Sequence, residues 1–290
     1  MTGGRRTWLT AADGTRLAMR HWTSPRCRAA VFYIHGIQSH SGWLFETGPR
    51  LVRLGIEVYA LDRRGSGASG GLRGHLPSWQ AVLDDYATAL REVRARCAGR
   101  PVTALGQSLG GSILAASLCA PGPAAFDRVV FCAPALGQQR SRHGDAELAR
   151  LRRQDGTRPV PVDLADRHYT EEPRYLDFMA ADPLILRSVT ARTRATLVAI
   201  EDVYWAWSDR GNRFACPVAL AVPEEDPIID TAQSRLVLAR LAPQLTARSF
   251  ATRGHYLEFT SERSRYWEWV AGIAGGACPV GAGGRTGVRR

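Results

Sequence analysis

The chain has 290 residues, enough for one large α/β domain or two small ones. Hydrophobic residues make up 45% and charged residues 22%, as in soluble globular proteins, and no apolar run reaches the length of a membrane-spanning helix. All 38 basic residues behind the net charge of +11 are Arg, which excludes lysine Schiff-base chemistry and a lysine phosphate loop; their scatter argues against nucleic-acid binding.

The predicted elements begin with a hairpin and continue as alternating strands and helices. Asp13-Gly14 separates two strand-like runs at 7–12 and 15–22, a strong hairpin signal. Strands are predicted at 29–35, 57–62, 102–106, 128–133, 218–222 and 246–251, and helices at 43–54, 81–96, 109–119, 231–241 and 262–273. This alternation predicts the α/β class, with a mostly parallel sheet covered by helices on both faces.

Residues 137–212 interrupt this alternation. They contain helical patterns rich in Arg and acidic residues but no clear strand, and insertions of this kind are commonly lids. We therefore predict a core at 1–136, a helical cap at 137–212, a second core part at 213–273, and a disordered tail at 274–290. The aromatic cluster at 204–207 either lines a pocket in this cap or packs the cap against the core.

The spacing of the cysteines bears on metal binding and disulfides, and the first residues bear on cellular location. The six cysteines form no CxxC pair, so we expect neither a zinc site nor a dense disulfide framework, and no cofactor motif is evident. Residues 1–8 have no apolar stretch of signal-peptide length behind them. We therefore expect a cytoplasmic protein without metal or cofactor.

The strongest catalytic signal is a GxSxG pattern centred on Ser108. A predicted strand precedes it and a predicted helix follows, which is the context that a nucleophile elbow requires. A second GxSxG pattern surrounds Ser69, but it lies in a glycine-rich run with no helix behind it. Ser108 is therefore the candidate nucleophile, and Ser69 is interpreted as part of a loop.

A serine nucleophile on this fold takes its acid and its base from later in the chain. Among the histidines after Ser108, His255 follows the last predicted strand and can return to the elbow, whereas two others fall within 137–212. Asp226 follows a core strand and is the preferred acid, with Asp230 and Glu225 as reserves. Two backbone N–H groups, those of Ile37 and Leu109, are the candidate oxyanion hole.

Several motifs in order resemble the monoacylglycerol lipase and lysophospholipase group of α/β hydrolases, which includes serine aminopeptidase S33-like hydrolases. The matching segments are residues 35–41, 61–69, 106–111, 182–185, 225–228 and 254–258. The resemblance implies the α/β-hydrolase fold, a triad of Ser108, Asp226 and His255, an oxyanion hole at Ile37 and Leu109, and a cap over an acyl-chain pocket.

The expected activity is cofactor-independent hydrolysis of a carboxylic ester, such as a monoacylglycerol or lysophospholipid, through an acyl-enzyme. The Arg-rich cap keeps a second interpretation open, in which the chain is an acyltransferase or thioesterase acting on a secondary-metabolite acyl group. Arg152, Arg153 and Arg158 would then meet a phosphopantetheine or carboxylate, with a carrier protein as partner. Transient contact with a membrane surface and a catalytically silent binding module are further alternatives.

Overall fold

The computed structural model describes residues 3–120 and 126–276. The strands are Arg5–Thr10 (β1), Arg16–Trp22 (β2), Ala29–Ile34 (β3), Ile56–Leu61 (β4), Val102–Gln107 (β5), Arg128–Cys132 (β6), Pro159–Pro161 (β7), Ser188–Thr190 (β8), Val218–Glu225 (β9) and Thr246–Arg253 (β10). Within the described residues, one sheet has the order β1-β2-β4-β3-β5-β6-β9-β10, and β7 pairs separately with β8. Strand β1 pairs antiparallel with β2, and β2 pairs antiparallel with β4. The remaining pairs, among β4, β3, β5, β6, β9 and β10, are parallel.

Helices cover both faces of this sheet. They are Thr47–Arg53 (α1), Trp79–Cys97 (α2), Leu109–Cys119 (α3), Gln138–Arg142 (α4), Asp145–Arg152 (α5), Pro173–Ala181 (α6), Ala191–Asp209 (α7), Thr231–Leu241 (α8) and Arg263–Ala274 (α9). Because successive strand residues point to opposite faces, Phe32 lies in the apolar cluster that includes residues of α2, α3 and α8, and Tyr33 lies in the cluster that includes residues of α1 and α9. The mostly parallel, doubly covered sheet confirms the predicted fold class.

The predicted continuous helix over 43–54 was wrong. The structure divides it into a short 3-10 helix at Ser41–Leu44 and α1. A continuous helix would place Pro49 in its interior, where the ring clashes with the preceding turn and a hydrogen bond is lost. In α1, Pro49 instead lies in the first turn, where its missing N–H costs nothing.

The absence of strands from residues 137–212 was also predicted incorrectly, because β7 and β8 form an antiparallel pair there. Each has three residues, and two of those in β7 are Pro, so the alternation that marks a strand cannot show. The rest of the segment consists of helices and connecting loops, and it contacts the core at several points. His40 Nε2 and Trp43 Nε1 both bind Asp182 Oδ2, at 2.9 and 2.8 Å.

The aromatic cluster at 204–207 packs the segment 137–212 against the core. The Tyr204 ring is fully buried, and its hydroxyl accepts a hydrogen bond from the Gly137 N–H at 3.0 Å. Trp205 lies against the guanidinium groups of Arg140 and Arg240. The interpretation of this cluster as packing is therefore the one that the contacts favour.

At the C-terminal end, α9 continues through Ala274, the first residue of the predicted tail. Residues 277–290 of that predicted disordered tail lie outside the described residues. Across 3–120 and 126–276, no helix has the length and apolar character that crossing a membrane would require.

Candidate active site

Ser108 lies in a sharp turn between β5 and α3. Its backbone has φ 53° and ψ −121°, a conformation that residues other than glycine rarely adopt. The turn brings backbone so close that a Cβ on Gly106 would lie 2.6 Å from the Gly110 carbonyl oxygen. A Cβ on Gly110 would lie 1.9 Å from the carbonyl oxygen of Ile34. The two glycines of the pattern therefore have a steric reason, and the turn is that of a nucleophile elbow.

The second GxSxG match has a structural role. Ser69 Oγ accepts a hydrogen bond from the Ala18 N–H at 2.8 Å and donates one to the Asp62 carbonyl oxygen at 2.5 Å. These bonds join the loop after β4 to strand β2. The Ser69 hydroxyl is buried in backbone contacts rather than presented to a cavity.

His255 and Asp226 lie together after the neighbouring strands β10 and β9. His255 Nδ1 lies 2.9 Å from Asp226 Oδ2 and 3.1 Å from Oδ1, and both side chains are fully buried. Asp226 Oδ1 also accepts the N–H groups of Ile228 and Ile229, each at 2.9 Å. Burial works to raise the pKa of Asp226, but His255 and these two N–H groups outweigh it and hold the pKa below its usual value. The carboxylate is therefore charged and oriented toward the imidazole.

The two reserve acids have other partners. Asp230 caps α8, since its Oδ1 accepts the Gln233 N–H at 3.0 Å. The Glu225 side chain is exposed and pairs loosely with Arg253 at 3.7 Å. Within the described parts of the chain, neither carboxylate lies within hydrogen-bonding distance of His255.

The other imidazole nitrogen of His255 faces the elbow. Gln107, the residue before Ser108, places its side-chain Nε2 3.2 Å from His255 Nε2. In residues 3–120 and 126–276, Ser108 Oγ itself makes no hydrogen bond to His255. With Nδ1–H donated to Asp226, the His255 Nε2 lone pair is directed to the elbow, where Gln107 occupies it.

Two N–H groups beside Ser108 have no acceptor. They belong to Leu109, the first residue of α3, and Ile37, in the loop after β3, and neither donates a hydrogen bond to any described residue. Both residues line the same cavity as Ser108. Unpaired N–H groups at the wall of a cavity can bind an oxyanion.

The cavity at Ser108 is small and partly polar, with a volume of about 280 Å³. Residues 137–212 supply much of its wall. Its apolar lining includes Ile37, Leu109, Val162, Leu164, Leu197 and Ile228, and its polar lining includes Gln138, Arg142, Asp163 and Glu201. Glu201 is buried, and its carboxylate accepts two backbone N–H groups from α4.

The arginines that the sequence singled out in 137–212 are not in this cavity. Arg152 forms a two-point ion pair with Asp202 at 2.8 and 2.9 Å, and Arg153 and Arg158 are exposed and absent from the lining. Arg142 lies in the lining instead, with Nη2 on the Ile228 carbonyl oxygen. Its short helix, α4, carries no periodic apolar signal, so sequence alone gave no reason to select it.

Over 3–120 and 126–276, no group of three His, Cys, Asp or Glu side chains is placed to hold a metal ion. The cysteines in those ranges are free thiols: Cys27, Cys97, Cys119, Cys132 and Cys216.

The chain matches known proteins along most of its length. The family model described as serine aminopeptidase S33 matches residues 25–261. A monoacylglycerol lipase of Mycolicibacterium smegmatis is 26% identical over 254 residues, which cover 81% of this chain and 84% of that protein. A monoglyceride lipase of Rattus norvegicus is 34% identical over 131 residues, covering 44% of this chain and 42% of the rat protein.

Solved structures with similar folds cover nearly the whole chain. A soluble variant of monoglyceride lipase from Saccharomyces cerevisiae, in complex with a substrate analogue, superposes with a TM-score of 0.82 at 16% identity, covering 97% of each chain. The monoacylglycerol lipase of Paleococcus ferrophilus superposes with a TM-score of 0.76 at 22% identity, covering 90% of this chain and 99% of the other. These likenesses establish the fold.

Proposed function

Because the chain belongs to the serine aminopeptidase S33 family of α/β hydrolases, we propose that it cleaves a carboxylic ester through Ser108, His255 and Asp226. The observation that carries the proposal is the buried pair of His255 and Asp226, whose second imidazole nitrogen, Nε2, faces the strained turn of Ser108 and its neighbour Gln107. A buried carboxylate that holds a histidine beside a serine at a cavity wall is the arrangement used for acyl transfer.

In the first half of the reaction, Ser108 Oγ attacks the acyl carbon and His255 Nε2 takes the hydroxyl proton. Asp226 keeps the Nδ1–H tautomer in place and supports the imidazolium charge. The side chain of Gln107 must release His255 Nε2 for this transfer. The oxyanion of the tetrahedral intermediate then takes the N–H groups of Ile37 and Leu109.

In the second half, the intermediate expels the alcohol, which receives its proton from His255 Nε2, and leaves an acyl group on Ser108. Water, deprotonated by His255, attacks that acyl group. The resulting second intermediate releases the acid and returns the proton to Ser108 Oγ. Every step uses side chains and N–H groups of this chain and needs no cofactor.

The substrate that we propose is an ester with a short acyl chain, within the class of monoacylglycerols, lysophospholipids and other acyl esters. The names of the relatives support an acyl ester. A cavity of about 280 Å³ lies at the low end of the roughly 300–1,000 Å³ that ligand pockets occupy, which disfavours a long chain. Residues 137–212 act in this proposal as a cap over the acyl site.

The polar part of the cavity favours one second candidate: hydrolysis or transfer of a polar acyl group from a thioester. Arg142 and Glu201 give the wall a cation and a carboxylate that a simple fatty acyl chain would not use. A carrier protein could then present the thioester. This candidate uses the same Ser108 acyl-enzyme and differs in the leaving group and the acceptor.

The test is turnover of p-nitrophenyl esters of increasing chain length beside matched acyl thioesters. Ser117→Ala is the control for Ser108→Ala, because Ser117 lies in the same helix and its hydroxyl bonds only the Ile113 carbonyl oxygen among the described residues. We expect ester turnover with a maximum at short chains, lost in Ser108→Ala and kept in Ser117→Ala. Undiminished turnover in Ser108→Ala would contradict the proposal, and an acyl-enzyme that forms without hydrolysing would favour the transferase.

A further inference from the structure

A buried arginine lies directly behind the loop that carries Ile37. Arg63 follows β4 and is 2% exposed, and within the described chain no carboxylate lies within 4.0 Å of its guanidinium. Three of its contacts go to successive backbone carbonyl oxygens: Nη1 to His35 at 3.3 Å and to Gly36 at 3.2 Å, and Nη2 to Ile37 at 3.0 Å. Nη1 also lies 3.5 Å from His35 Nδ1. A charged group buried without a counter-ion is costly, which calls for an explanation.

The sheet places these groups together. Strands β3 and β4 are parallel neighbours, so the loop that begins at His35 and the loop that holds Arg63 leave the sheet side by side. Burial first, and then the Arg63 charge, lower the pKa of His35 well below its usual value, so the ring is neutral. His35 Nε2 accepts the Arg63 N–H at 3.0 Å, and Nδ1 donates to the Gly36 carbonyl oxygen at 2.8 Å.

One of these carbonyls belongs to the peptide unit of the proposed oxyanion donor. The Gly36 C=O and the Ile37 N–H are the two ends of a single planar peptide group and point in opposite directions. Fixing the oxygen therefore fixes the direction of the N–H. A charged donor on the oxygen also polarises the amide and makes its N–H a stronger donor, as in other hydrogen-bonded chains.

We propose that Arg63 is a positioning residue of the reaction, which orients and polarises the Gly36–Ile37 peptide group so that the Ile37 N–H stabilises the oxyanion. This inference rests on the proposed function, since it assigns a role within that ester hydrolysis. Arg63 does not touch the substrate. Its contribution is made when negative charge develops on the substrate oxygen and is absent from substrate binding in the ground state.

The experiment compares wild type with Arg63→Met and Arg63→Lys on the ester that wild type turns over fastest. Each protein is also titrated with an alkyl trifluoromethyl ketone, which forms an oxyanion adduct on the serine, and with the corresponding methyl ketone as a ground-state probe. For Arg63→Met we expect kcat to fall by about 10²–10³-fold with KM nearly unchanged. Trifluoromethyl ketone affinity should fall in proportion to kcat/KM, and methyl ketone affinity should not.

Arg64→Lys is the matched control. Arg64 is also buried but pairs with Asp85 at 2.6 and 2.7 Å, so its replacement should lower stability without lowering kcat of the folded enzyme. If Arg63→Met does not fold, the same comparison is made with Arg63→Lys. This variant keeps the charge but loses the planar guanidinium, so its kcat should fall less. Unchanged kcat in the folded Arg63 variant, or a lower kcat with unchanged trifluoromethyl ketone affinity, would overturn the proposal. A wild type without ester turnover would instead overturn the proposed function itself.

Discussion

Asp226 is joined to His255 by two contacts of 2.9 and 3.1 Å, and neither side chain reaches solvent. Two backbone N–H groups hold the carboxylate from the other side. The geometry thus places the imidazole proton on Nδ1, between His255 and Asp226.

Asp226→Asn is expected to keep the fold and to lower kcat by about 10³–10⁴-fold, because the amide can stabilise the wrong imidazole tautomer and cannot support its charge. Asp230→Ala is the control: it removes the cap of α8, costs about 1 kcal/mol of stability and leaves kcat unchanged. Steady-state kinetics measure kcat of both variants, and urea unfolding measures their stability. Comparable kcat losses in the two variants would contradict the assignment of the acid.

Arg142 is expected to set a preference for esters that carry a negative charge. It lines the cavity of Ser108, and within the described residues no carboxylate lies within 4.0 Å of it. Arg142→Gln should raise KM about tenfold to a hundredfold for an ester with a carboxylate-terminated acyl chain, and leave KM for a neutral ester of equal length unchanged. Arg152→Gln, which removes a cation outside the cavity, should change neither value. Equal KM changes for both esters would argue against this role.

The elbow should tolerate no Cβ at Gly110. A methyl group there would lie 1.9 Å from a backbone carbonyl oxygen, so Gly110→Ala should cost at least about 3 kcal/mol of unfolding free energy or prevent folding. Gly272→Ala is the matched control in α9, where a Cβ meets nothing within 4 Å, and it should gain about 0.5–1 kcal/mol. Urea unfolding distinguishes the two. A urea unfolding midpoint for Gly110→Ala equal to that of wild type would contradict the proposed steric clash.

The features that were predicted correctly are those that depend on residues adjacent along the chain. The elbow is a local pattern of strand, GxSxG and helix, and α8 spans the predicted residues, with its start fixed by the Asp230 cap. The core strands were found because they are buried on both faces and are therefore mostly apolar along their length.

The contacts between distant segments were not predictable. Arg63 is brought to the Gly36 carbonyl by the pairing of β3 with β4, and Arg142 reaches the cavity through the packing of 137–212. An Arg immediately after a buried strand is a weak sign of a buried cation, and no periodicity accompanies it. The pair of β7 and β8 was missed because three residues are too few to show alternation.

Glu258 should make stability depend on pH near neutrality. It is fully enclosed, and burial raises its pKa from 4.5 to about 7, against a hydrogen bond from the Tyr33 hydroxyl at 2.6 Å. Between these two values the folded chain holds a proton that the unfolded chain has released. Stability from this group is therefore present at low pH and is lost as pH rises toward 7, by up to about 1.4 kcal/mol per pH unit.

Glu258→Gln removes this titration, so its stability relative to wild type should rise between about pH 5 and pH 7.5. Urea midpoints of both proteins at the two pH values test this. Parallel changes in the two proteins would show that Glu258 does not titrate in that window.

The most direct measurement of the central claim is covalent labelling with a fluorophosphonate, followed by intact mass and peptide mapping. The phosphonyl group adds to an activated serine with loss of fluoride. We expect one adduct per wild-type chain, located on Ser108, absent from Ser108→Ala and retained in Ser69→Ala. A wild type that stays unlabelled, or a Ser108→Ala variant that still carries the adduct, would contradict the central claim.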